Sequence, residues 1–268
     1  MSRLKAAVGA GNGLIPYLTA SDPSDEGFLQ AACGAVQGGA RAIEIGVPHS
    51  DPIADGPVIQ RAHQRALKAG GGIQRTLELI AGLRRHSDIP IILFTYINPL
   101  LSFGFERLMP AAKAAQIDGI LILDLPPQEM PDWYSFVASQ GIDPIVLLSP
   151  NTSEERLAYL LKFGRGFIYM VAREGITGTH DGAKVDLDAR VKRARNISGL
   201  PIAVGFGVRE AQDVRRIWEV AEAAVVGSAL IQEIEKHGDG RIFQAARTFV
   251  ETLVGNSRPE KPMVEIDK

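Results

Sequence analysis

The run Ala42-Ile43-Glu44-Ile45-Gly46-Val47 is apolar apart from a single carboxylate, and its reading decides the rest of the chain. It has the length of a buried strand, and strand side chains alternate between two faces. Ile43, Ile45 and Val47 share one face; Ala42, Glu44 and Gly46 share the other. If helices cover the first face, Glu44 points into a tight interior beside small neighbours. An unpaired carboxylate there has a raised pKa and carries a proton at neutral pH. The chain then turns through Pro48-His49-Ser50-Asp51-Pro52-Ile53-Ala54-Asp55-Gly56, a loop pinned by prolines. Asp55 lies in polar loop surroundings and is expected to stay ionised. Two carboxylates with pKa values pushed apart form an acid–base pair. A structural ion pair at Glu44 and a plain turn at Asp55 fit the same pattern.

Outward from this run, short apolar stretches alternate with amphipathic ones along the chain. Strands are expected from Gly13 and from Arg41, then over 91–96, 119–123, 144–148, 167–171, 202–204 and 223–226. Helical periodicity fills the gaps, over 26–36, 73–85, 106–115, 153–162, 187–197, 210–219 and 229–235. Strands alternating with helices at this spacing imply parallel βαβ units. Eight repeats predict an α/β fold closed into a (β/α)8 barrel, with extra helical residues over 56–69 and at the C-terminus. An open doubly wound sheet is the alternative, but no Gly-x-Gly-x-x-Gly turn follows the first strand. Gly70-Gly71-Gly72 reads as a break between helices. No linker divides residues 1–268, so one domain is expected, with a flexible polar tail over 257–268.

Composition agrees. The chain has 268 residues, close to the roughly 250 typical of such barrels. A formal net charge of −2 gives no reason to expect nucleic acid or a membrane surface as partner. Arg190, Lys192, Arg193 and Arg195 read as a solvated helix face. The single cysteine, Cys33, cannot form an internal disulfide, which fits a reducing cytosol. The opening Met-Ser-Arg-Leu-Lys lacks the apolar core of a signal peptide. No apolar run approaches the roughly 20 residues of a membrane helix. The five histidines are scattered without paired metal-ligand spacing, so no metal is expected.

Chemistry in such barrels occurs at the C-terminal ends of the strands. Gly205-Phe206-Gly207 follows the seventh strand, and Gly227-Ser228 follows the eighth and opens a helix. Loops at these two strands, with a helix N-terminus, are the usual barrel phosphate site. Ordinary tight turns fit either pair alone. The loop 173–182 (Arg-Glu-Gly-Ile-Thr-Gly-Thr-His-Asp-Gly) is long and glycine-punctuated, as a lid would be, or as a passive surface loop would be. Tyr96 and Tyr169 fall near the ends of the third and sixth strands, as core residues or as pocket walls.

The stretch 44–60 (Glu-Ile-Gly-Val-Pro-His-Ser-Asp-Pro-Ile-Ala-Asp-Gly-Pro-Val-Ile-Gln) resembles the signature of the tryptophan synthase alpha chain family. The resemblance runs through essentially the whole chain. It includes 18–23 (Leu-Thr-Ala-Ser-Asp-Pro), 95–99 (Thr-Tyr-Ile-Asn-Pro), 118–126 (Asp-Gly-Ile-Leu-Ile-Leu-Asp-Leu-Pro), 175–178 (Gly-Ile-Thr-Gly), 204–207 (Val-Gly-Phe-Gly) and 226–228 (Val-Gly-Ser). It implies a (β/α)8 barrel that cleaves indole-3-glycerol phosphate to indole and glyceraldehyde 3-phosphate, within an α2β2 complex. No cofactor is expected in this chain; pyridoxal phosphate belongs to the beta chain that receives the indole. By the same resemblance Glu44 and Asp55 are the catalytic pair. Tyr17, Phe94, Leu121 and Phe206 line the indole pocket, with Tyr169 beside the catalytic carboxylate and Tyr96 among the substrate-facing residues. Thr177 orients Asp55. Gly178, Phe206, Gly207, Gly227 and Ser228 hold the phosphate. The loop 48–52, with Asn98 nearby, faces the beta chain.

Four positions depart from the family pattern: Ser21 where glycine is usual, His49 where phenylalanine is usual, and Ala172 and Glu174 in place of smaller polar residues. None removes a catalytic group. A stand-alone lyase, a non-catalytic activating subunit, or another enzyme of phosphorylated sugars would share the barrel. The presence of Glu44, Asp55 and Thr177 together disfavours the last two.

Overall fold

A computed structural model describes residues 1–172, 181–205, 207–237 and 239–255. The apolar runs form β1 (Gly13–Thr19), β2 (Ile43–Gly46), β3 (Ile91–Thr95), β4 (Gly119–Ile122), β5 (Asp143–Pro144), β6 (Val146–Leu148), β7 (Ile168–Val171), β8 (Ile202–Gly205) and β9 (Ala223–Val226). Every pairing is parallel, in the order β5-β4-β3-β2-β1-β9-β8-β7-β6. The two ends of that order, β5 and β6, are halves of one extended run interrupted at Ile145. The sheet therefore closes on itself, with the expected fifth strand in two pieces. Pro144 explains the break, because it has no N–H to give to a neighbour. Ile145 resumes the ladder by donating to the Ile120 carbonyl at 2.9 Å.

Closure creates two cores. Ile43, Ile45 and Val47 lie in the outer one, between sheet and helices, with Leu77, Ile80 and Leu83. Ala42 lies in the inner one with Ile92, Phe94, Leu121, Ile145 and Val225. Alternation along β2 thus places Glu44 inside the barrel, as its sequence context requires.

The helical set begins with α1 (Arg3–Gly9), whose buried side chains enter the inner core and not the outer layer, then α2 (Asp25–Gln37), α3 (Pro57–Lys68), α4 (Ile73–Leu83), α5 (Ile97–Phe103), α6 (Phe105–Ala114), α7 (Pro131–Ser139) and α8 (Glu154–Leu160). It continues with α9 (Asp181–Ser198), α10 (Ala211–Trp218), α11 (Ser228–Glu235) and α12 (Ile242–Val254). The glycine triplet does separate two helices, α3 and α4. Sequence periodicity missed α1, α5 and α7. The first is a seven-residue segment, too short to show a period. Its N-cap Ser2 accepts the Lys5 N–H, and its Leu4 and Val8 are buried in the inner core.

The basic run on α9 is paired at its acidic neighbours: Lys192 with Asp188, Arg193 with Glu154, and Arg195 with Glu222 at 2.7 Å. Its charge is spent on local structure. Among the described residues no helix is long and apolar enough to cross a membrane.

The chain's last helix, α12, lies on α2. A Cβ at Gly34 of α2 would fall inside contact distance of the Phe243 carbonyl, and one at Gly38 would sit 2.7 Å from the Arg247 carbonyl. Gly82 on α4 differs, since its nearest atoms would be 3.7 Å away or more. Gly34→Val should therefore lose about 2–3 kcal/mol by forcing the helices apart. Gly82→Ala should gain about 0.5–1 kcal/mol through helix propensity. Urea unfolding of both variants checks this; equal responses would mean that α2 and α12 do not approach so closely.

Candidate active site

Glu44 stands in register with Tyr17 on β1 and Ile92 on β3. It is fully buried, and neither carboxylate oxygen has a hydrogen-bond partner among the described residues. Burial pushes its pKa up to about 8. The charged form is disfavoured because nothing nearby replaces its water, so the side chain is mostly protonated at neutral pH.

Tyrosines surround it. The Tyr17 ring packs edge-on against Phe94, centroids 5.1 Å apart at 72°, and its hydroxyl lies 3.2 Å from the Thr19 hydroxyl. Tyr169, Phe94 and Leu121 are buried in the same inner core, and Phe94 pairs in register with Leu121. Burial, then the nearby carboxylates, hold the Tyr17 and Tyr169 hydroxyls firmly protonated. Two glycines make room for them. A Cβ at Gly46 would collide with the Tyr17 hydroxyl, and one at Gly205 with the Tyr169 hydroxyl. Gly205, the first glycine of the Gly205-Phe206-Gly207 turn, ends β8, and its missing side chain makes room for the Tyr169 hydroxyl.

Asp55 is brought in from the loop between β2 and α3. The Tyr96 hydroxyl donates to its Oδ2 at 2.8 Å and itself accepts the Ala54 N–H at 3.0 Å. Gln60 holds the Asp55 carbonyl at 2.9 Å. The surroundings are polar as expected, but closed: the Asp55 side chain is only 5% exposed, in a loop whose Ile53 is 84% exposed. Burial and the Asp55 charge push the Tyr96 hydroxyl well up. The His49 ring packs on Tyr96, centroids 4.9 Å apart.

His63 was not singled out on sequence. It is buried on α3, with Nδ1 accepting the His49 N–H at 3.2 Å and Nε2 3.4 Å from Asp55 Oδ2. The signal was present: His63 falls on the buried face of α3, with Val58, Ala62 and Ala66.

Gly207 and Gly227 follow the adjacent strands β8 and β9. Gly207 has φ +87°, where glycine is favoured. Gly227 precedes Ser228 at the start of α11, with Tyr17 about one van der Waals contact away, at 3.5 Å from its would-be Cβ. Thr177, Gly178 and Phe206, and the departure Glu174, lie outside the described residues. Ser21 has φ +62°. A residue other than glycine is uncommon there, and its hydroxyl is tied to Asp25 at 2.7 Å. Ala172 is buried.

The model of the family described as Tryptophan synthase alpha chain matches residues 2–257. The chain belongs to the tryptophan synthase alpha chain family. The tryptophan synthase alpha chain of Aromatoleum aromaticum is 42% identical over 241 residues, covering 88% of each chain. Among solved structures, tryptophan synthase subunit alpha from Legionella pneumophila str. Paris superposes with a TM-score of 0.85 at 30% identity, covering 95% of this chain and 97% of that one. Tryptophan synthase from M. tuberculosis, in an aminoacrylate-bound form, gives 0.84 at 29% identity over 96% of this chain. As an alpha subunit of tryptophan synthase the protein is a lyase of tryptophan biosynthesis, and the family's reaction is the cleavage of indole-3-glycerol phosphate to indole and glyceraldehyde 3-phosphate.

Proposed function

We propose that Glu44 and Asp55 carry out this cleavage as a catalytic pair. The observation that supports it most is the unpartnered, fully buried Glu44 carboxyl, which holds a proton at neutral pH. Breaking the carbon–carbon bond needs an electron sink at the indole ring. Glu44 donates its proton to ring carbon C3, giving an indolenine whose N–H gains positive character. Asp55 accepts a hydrogen bond from that N–H and stabilises the charge. Glu44, now ionised, takes the proton of the substrate hydroxyl as the bond breaks and the aldehyde forms. The electron pair of the broken bond restores the indole ring, the proton lent by Glu44 stays on ring carbon C3, and the hydroxyl proton leaves Glu44 protonated for the next turnover. The ring acts as the sink, and this chain needs no cofactor for the step.

Tyr17, Phe94, Leu121, Tyr169 and Phe206 form the apolar indole pocket, with Tyr96 fixing Asp55. Thr177 orients Asp55 from the loop 173–182. Gly178, Phe206, Gly207, Gly227 and Ser228 hold the phosphate through backbone N–H groups and the N-terminus of α11. The working form is an α2β2 complex in the cytoplasm. The loop 48–52 faces the beta chain, which carries pyridoxal phosphate and consumes the indole.

Release of indole and glyceraldehyde 3-phosphate from indole-3-glycerol phosphate, with and without a tryptophan synthase beta chain, tests this reading. A slow lone chain accelerated by the beta chain is expected. A lone chain as fast as the complex would favour a stand-alone lyase. Gly227→Val should raise KM about tenfold or more, equivalent to losing about 1.4 kcal/mol of anion binding, with little change in thermal unfolding. A KM left at the wild-type value would remove Gly227 from the phosphate site.

A further inference from the structure

We infer that His63 is a positioning residue for Asp55. The inference rests on the reading of Asp55 given above.

A buried imidazole is costly unless both ring nitrogens are used. His63 Nδ1 accepts a backbone N–H, from His49 at 3.2 Å. Nδ1 therefore carries no proton, and the neutral ring bears its proton on Nε2. Nε2 lies 3.4 Å from Asp55 Oδ2 and makes no hydrogen bond among the described residues. The distance is a few tenths of an ångström beyond the usual hydrogen-bond range.

The surroundings say what the contact is for. Asp55 sits on a loop with exposed neighbours, and the groups that tie it to the scaffold are few: the Tyr96 hydroxyl, the Gln60 amide and His63. Tyr96 and His63 both meet Oδ2. Oδ1 has no partner among the described residues and is the oxygen left for a substrate N–H. His63 is mounted on α3 between Ala62 and Ala66, both fully buried, so its ring has little freedom to move. The same ring grips the other end of the loop at the His49 backbone, and the His49 ring packs on Tyr96. Asp55, Tyr96, His49 and His63 thus form a closed circuit in which one helix residue fixes both ends of the loop. A shift of about 1 Å in a reacting group can cost about 10²-fold in rate, so holding Asp55 matters even though His63 touches no reacting atom.

Three variants of the full-length chain separate the two contacts. His63→Leu removes both. His63→Asn places an amide oxygen near the Nδ1 position and keeps the His49 contact, but does not reach Asp55. His63→Gln places an amide N–H near the Nε2 position. With indole-3-glycerol phosphate as substrate, Leu and Asn should lower kcat about 10- to 100-fold, with KM within about threefold. Gln should restore most of kcat. In an Asp55→Asn background, His63→Leu should lower the residual rate no further, because residues acting as a unit are non-additive. Wild-type kcat in His63→Asn, or the same fold-loss from His63→Leu in both backgrounds, would overturn the inference. Wild-type activity of Asp55→Asn alone would strike down the catalytic pair instead.

Discussion

Glu44→Gln is expected to lower kcat at least about 10²-fold, and further if one group serves as acid and then as base. The amide keeps the shape but can neither donate nor recover the proton. In the wild type, kcat/KM should fall as pH rises through about 8, because the protonated carboxyl is the competent form. Stability follows the same proton. The carboxyl's ordinary value of 4.5 is raised to about 8 on folding, so between those pH values the native chain binds more protons than the unfolded one. Stability then falls as pH rises, by up to about 1.4 kcal/mol per unit for this group. It is fully present below 4.5 and lost by about 8. Glutamine lacks this dependence. Urea unfolding from pH 5 to 8 should show the variant gaining on the wild type across that window, while its activity stays low. A variant retaining most of the wild-type rate would sink the assignment; parallel stability curves would show that Glu44 ionises normally.

Asp55→Asn should cost about 10²-fold or more in kcat, since the negative charge that meets the developing indolenine is gone. The neighbouring carboxylate of the same loop is the control. Asp51 is exposed and hydrogen-bonded by Ser50, so Asp51→Asn should change the rate of the isolated chain by no more than about twofold. Its effect should surface only in the presence of a beta chain. Equal losses at Asp51 and Asp55 without the beta chain would mean that the second carboxylate is misassigned.

These two carboxylates were legible in the sequence to different depths. The environment of Glu44 could be read because period-two alternation assigns a face and small neighbours imply an interior; no long-range information is needed. The grip on Asp55 could not. Tyr96 lies 41 residues away, and nothing local links the two. His63 was hidden in the same way, as one of several scattered histidines until α3 turned it towards the loop. At Gly205 the strand-end glycine was legible but the close approach behind it was not: the space it leaves is filled by a tyrosine from the neighbouring strand. The eight strands were visible as apolar runs, whereas the break at Ile145 depends on which neighbour needed the missing Pro144 N–H.

The closure of the barrel has a consequence for how the protein is made. One edge of β1 is completed by β9, and one flank of α2 is covered by α12. The indole N–H of Trp218 also donates to the Gly13 carbonyl, 205 residues away along the chain. At ribosomal speeds of roughly 5–20 residues per second, β1 waits about 10–40 s for these partners. During that interval β2, β3 and β4 can add to one side of it, while the other side offers unpaired backbone groups to any passing strand. A nascent chain stalled before residue 223 is therefore an open sheet with a bare helix seam, and its exposure to aggregation peaks during synthesis rather than in the finished barrel.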